Sequence, residues 1–100
     1  MSREEELCKA ADSGDLARVK LLVEAGADIH AKDDQALRRA SEYGHLEVVK
    51  YLVGRGADIH ALDDWALRRA SEYGHLEVVE YLKHVVLLRD RKRKILEHLG

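Results

Sequence analysis

Residues 31–52, AKDDQALRRASEYGHLEVVKYL, return thirty positions later as ALDDWALRRASEYGHLEVVEYL, residues 61–82, with nineteen of twenty-two positions identical. A repeat of this length describes a stacked array, because each unit carries an apolar face that only a neighbouring unit can cover. The period also extends backward. Residues 7–30 match 37–60 at thirteen of twenty-four positions, ending in the shared block GADIH. Three units follow, at residues 3–32, 33–62 and 63–100, the last including whatever the C-terminus forms.

Each unit holds two short amphipathic segments separated by a glycine. In the second unit, Ala36, Leu37 and Ala40 share one side of a predicted helix over 34–42, small enough for another helix to approach closely. Asp33 or Asp34 is expected to cap that helix, with Asp34 four residues before Arg38. Gly44 supplies a left-handed stop. Leu46, Val49, Leu52 and Val53 then form an apolar stripe at helical spacing over 45–53. Gly54 and Gly56 end the second helix, and Ala57-Asp58 begins the return. The expected fold is all-α: a short helix-turn-helix solenoid of three repeats with a modified C-terminal helix.

The stretch GHLEVVKYLVGRGADIHA resembles the second helix and loop of an ankyrin repeat, through its glycines, its Ala-Asp and its apolar stripe. Two departures stand out. The family's T-P-L-H signature is replaced by Gln35-Ala36-Leu37-Arg38 and by Trp65-Ala66-Leu67-Arg68, and each unit is three residues short of the usual thirty-three at the hairpin tip. This shorter form is similar to ankyrin arrays encoded by giant DNA viruses. Near-identity of adjacent units points to an engineered or consensus array, the very regular viral arrays being the natural alternative. The resemblance implies a non-catalytic module that binds proteins.

Composition excludes several other classes. The net charge of −2 gives no global attraction to nucleic acid or to an anionic membrane. No apolar run approaches a membrane span. Cys8 is alone, so no internal disulfide forms, and a cytoplasmic, reducing compartment is expected. His30/His60 and His45/His75 occupy equivalent positions in successive layers, on the order of 8–10 Å apart, too far to share one ion. His84 and His98 read as solvated. No metal or other cofactor is expected, and no nucleophile, base and orienting group assemble into a catalytic site. The basic run Arg89–Lys94, interrupted only by Asp90, reads as a solubilising face rather than a nucleic-acid site, since aromatic residues do not interleave it.

The informative positions are those where the repeat breaks: Lys32/Leu62, Gln35/Trp65 and Lys50/Glu80, then everything after Leu82. Where unit two has VGRGADIH, unit three has Lys83, His84, Val85, Val86, Leu87, Leu88, Arg89 and Asp90. Nothing there stops the last helix, which either runs toward Leu99 or breaks near Arg89-Asp90. If it runs on, Tyr81, Val85, Leu88, Lys92, Ile95 and Leu99 form a seam spaced 4, 3, 4, 3, 4. Apolar side chains in such a run need cover. Three covers are open: the chain's own third unit, a second copy, or a different protein. Leu62 and Trp65, three residues apart and facing the concave side in ankyrin folds, favour an exposed contact surface. The expected interface is therefore Leu62, Trp65, Tyr81, Val85, Leu88, Ile95 and Leu99. The expected partner is the chain itself, with another protein as the alternative.

Overall fold

The computed structural model describes residues 2–99, and for Leu99 the backbone only. Among these residues there are six helices and no strand: α1 (Arg3–Ser13), α2 (Leu16–Glu24), α3 (Ala31–Glu42), α4 (Leu46–Gly54), α5 (Ala61–Glu72) and α6 (Leu76–Leu99). They form three helix pairs. The first helices α1, α3 and α5 pack side by side in one row, and α2, α4 and α6 in a second.

Local chemistry accounts for the boundaries. Ser2 caps α1 by accepting the amide of Glu5 at 3.1 Å, and Glu4–Glu6 sit where the helix dipole favours negative charge. The backbone then turns left-handed at Gly14, whose amide and that of Asp15 return to the carbonyls of Ala11 and Ala10. Asp15 caps α2 through the amide of Arg18. Between the rows lies one continuous core, in which Leu7, Leu37, Leu52 and Leu82 are all but inaccessible. Ala36 and Ala40 are buried in this core. Val48 and Val78 join the core as well, beyond the stripe read from spacing.

The hairpin tips depart from expectation. Lys32, Asp33 and Asp34 lie at φ of 54°, 55° and 56°, a left-handed turn inside α3, and Leu62, Asp63 and Asp64 repeat it in α5. Each such residue costs roughly 1–2 kcal/mol relative to a right-handed turn. Arg38 offsets the cost. Its guanidinium donates at 2.9 Å to the carbonyls of both Lys32 and Asp33, and Arg68 does the same for Leu62 and Asp63. A three-residue left-handed turn is thus what closes the shortened tip.

This arrangement also corrects the capping expectation. Asp34 is buried, and its carboxylate accepts the amide of Asp58 at 2.8 Å and faces the His30 ring at 3.0 Å. It ties the tip to the next loop rather than capping α3. Arg38 pairs with backbone carbonyls, not with Asp34. Finally, α6 does not break at Arg89-Asp90 but runs through to Leu99.

Candidate functional site

The stack is built from a junction that occurs twice. His45 lies over Gly14 and places Nε2 2.8 Å from the carbonyl of Asp12, and the His75 ring lies over Gly44. Lys20 stands 5.8 Å from the Tyr51 ring and Lys50 5.9 Å from the Tyr81 ring. At each junction the tyrosine and histidine of one unit thus face the unit before it. Such contacts carry cation–π and packing energy that a lone unit lacks.

The two ends of the stack differ. Unit one presents Glu5, Lys9, Asp15 and Arg18 where the later units present Gln35 or Trp65, an arginine, a histidine and a valine. Its outer face is therefore more charged than the equivalent faces of the later units. Unit three keeps the side chains of an internal unit on its own outer face, and there they are uncovered. Ser41 is sealed at 0 % exposure whereas Ser71 is exposed, Leu37 is sealed whereas Leu67 is half-buried, and Gly74 has no atom near its Cβ direction. Lys83 replaces Val53 and Glu80 replaces Lys50, and these are the polar changes at this end.

Beyond the stack, α6 stands clear of the body. Val85 and Val86 pack against the edge of the core, but from Leu87 to His98 every residue is exposed. Leu88 is 49 % exposed and Ile95 53 %, with Leu87 and Leu96 more exposed still. Leu87 and Ile95 line a shallow groove with Asp90, Arg91, Lys94 and His98. Leu96 was missed by the spacing of four and three. It lies beside the stripe, eleven residues from Val85, and widens it.

The sequence-predicted interface residues fall into two groups. Leu88 and Ile95 lie on the free part of α6, while the Leu99 side chain is outside the described residues. Val85 and Tyr81 are half-buried, and burial raises the Tyr81 hydroxyl pKa above its ordinary value. Tyr81 faces unit two under Lys50. On α5, Leu62 is 48 % exposed at the left-handed turn. Trp65 is half-buried, with the guanidinium of Arg38 from unit two 5.0 Å from its ring and that of Arg69 at 5.2 Å. Arg69 is held in turn by Glu72 at 3.0 Å, the main cause of its raised pKa. Trp65 therefore packs at the junction between units two and three.

Groups capable of other chemistry are occupied. Cys8 is half-buried, its thiol 3.2 Å from Oε1 of Gln35, and desolvation raises its pKa away from the reactive thiolate. Among the described residues no cluster of His, Cys, Asp and Glu is arranged to hold a metal ion, and no helix is long and apolar enough to cross a membrane. No curated protein sequence matches the chain significantly. The family profile described as ankyrin repeats (3 copies) matches residues 7–89, which takes in all three units. With paired helices in two rows and a glycine–histidine junction between successive units, the chain belongs to the ankyrin repeat family.

Proposed function

We propose that this chain is a non-catalytic protein-interaction scaffold that associates with further copies of itself through its altered last unit and α6. The observation that carries this reading is the set of four apolar side chains, Leu87, Leu88, Ile95 and Leu96, exposed on a helix that continues past the stack. Fully burying a leucine or isoleucine is worth about 1.5–3 kcal/mol, so four such side chains in water are a standing drive toward a partner. A single ankyrin domain over residues 1–100 with Leu62, Trp65, Tyr81, Val85, Leu88, Ile95 and Leu99 near its contacts is the unit of assembly. The near-identity of units two and three supports an engineered or consensus origin, and the undisulfided Cys8 suits a reducing, cytoplasmic setting.

A monomeric module for a different protein is the second reading. It is favoured by Leu62, 48 % exposed at the tip turn of unit three where unit two carries Lys32. Light scattering on the purified chain over a concentration series decides between them. Self-association predicts a mass that rises above the 11.4 kDa monomer and that Leu88→Glu returns to it. A chain that stays monomeric at high concentration overturns it in favour of the second reading.

A further inference from the structure

We infer that the self-association is a reciprocal clasp, in which the free end of α6 from each copy lies across the outer face of the first unit of the other. The inference rests on the self-association reading above and names the surface that the helix meets.

Direction comes first. Tyr51 and Tyr81 point toward the preceding unit, as the lysines over their rings show. Val85, Leu88 and Ile95 continue from Tyr81 at helical spacing, so they face the same way. Val85 still packs on the edge of the core, but beyond it Leu88 and Ile95 are exposed. The free stretch 87–98 therefore turns its apolar side toward the N-terminal end of the stack, about two layers above it. With layers roughly 10 Å apart, it cannot touch its own first unit.

Next, the matching surface. Leu21 occupies the position of Tyr51 and Tyr81, and it is 67 % exposed. Glu5 and Asp15 occupy the positions of Gln35 and His45, which also face the preceding unit. Residues 1–30 carry seven carboxylates against four cations, net −3, whereas 83–100 carry six cations against two carboxylates, net +4. Pairing two free helices with each other would set these cations together, and Lys92 would sit in the middle of the apolar seam. Laid over unit one, the same helix meets a unit of net opposite charge, whose outer face offers Glu5 and Asp15 alongside Lys9 and Arg18, with Leu21 under Leu88 and Ile95. The lengths agree: twelve residues of helix span roughly 18 Å, and α1 spans roughly 16 Å.

The symmetry closes. Inverting one copy about a two-fold axis perpendicular to the stack brings its first unit under the other's free helix, and carries its own helix under the other's first unit. Both contacts form at once, as an isologous dimer requires.

Sedimentation velocity on the full chain tests this. Leu21→Glu, at an exposed position more than sixty residues from the free helix, is expected to raise the dimer dissociation constant about thirty-fold. Lys92→Glu and Glu5→Lys should each weaken the dimer, and an equimolar mixture of the two should recover it. Added salt should dissociate a clasp, whereas it should strengthen a pairing of two basic helices. A dimer that ignores Leu21→Glu and tightens with salt overturns the clasp and leaves self-association through α6 standing. A wild-type chain that never dimerises removes both. Circular dichroism of each variant keeps a folding defect from passing as dissociation.

Discussion

A methyl group on Gly14 would stand 2.5 Å from Nδ1 of His45, closer than a carbon can lie to a ring nitrogen. Gly44 meets His75 in the same way, while Gly74, with an almost identical φ of 73°, meets nothing within 4 Å. One backbone conformation therefore occurs with and without a neighbour above it. Gly74→Ala should cost only the left-handed strain, about 1 kcal/mol. Gly44→Ala should cost about 1–3 kcal/mol more, because His75 must also leave its seat. Urea unfolding of the two variants measures the difference, and equal losses would show that the histidine gives way freely.

Ser41 is sealed by unit three with its hydroxyl lacking a hydrogen-bond partner, and unit one has Ala11 at the same place. A buried polar group without a partner costs about 1–3 kcal/mol. Ser41→Ala is therefore expected to stabilise the fold by up to about 1 kcal/mol, the smaller net figure reflecting the small void it leaves. Ser71→Ala, at the exposed equivalent, should fall within about 0.5 kcal/mol of zero. A loss of stability in Ser41→Ala, seen as a lower urea midpoint, would mean that the hydroxyl has found a partner.

What could be read from the chain and what could not divides by the range of the interactions. The helix pairs follow from apolar spacing, from Gly14 and Gly44, and from the repeat itself, all local signals. The tip turn was hidden. Lys32, Asp33 and Asp34 include none of the glycines that usually mark a left-handed backbone, and the turn is held from outside by Arg38 and by the amide of Asp58. Reading Asp33 and Asp34 as caps was the natural local choice, and a contact twenty-four residues away displaced it. Whether α6 breaks at Arg89-Asp90 was equally open. No packing acts on 87–98, so helix propensity alone decides, and Arg, Lys, Leu and Glu all favour continuing. Trp65 was noticed by type, yet its environment depends on Arg38, which belongs to the preceding unit.

That environment makes a prediction. With a guanidinium at 5.0 Å and another at 5.2 Å from its ring, Trp65 gains about 0.5–1 kcal/mol from each at a partly exposed site. Trp65→Ala should therefore destabilise the fold by about 1–2 kcal/mol even in dilute solution, where copies do not meet. Trp65→Gln, which restores the residue of unit two, should lose somewhat less. A double-mutant cycle with Arg38→Ala should return a coupling of about 0.5–1 kcal/mol. Zero coupling would place the indole's role entirely in contacts between molecules.

The pair His30 and Asp34 links pH to the tip turn. The imidazole Nδ1 is 3.0 Å from the buried carboxylate, and that hydrogen bond, followed by the charge of Asp34, raises the pKa of His30 above its ordinary value. The imidazolium form is thus favoured by folding. Its contribution is complete below about pH 6.5, the value of an unfolded histidine, and is lost as pH rises through the higher folded value. His30 is about half exposed, so the effect is modest, but it has a definite sign. Wild type should lose stability relative to His30→Gln as pH is taken from 5.5 to 8, measured as the difference between their urea midpoints at each pH. Taking this difference removes the common contribution of the other histidines. A difference that stays flat, or that grows with pH, would mean that Asp34 holds the neutral ring as well as the charged one.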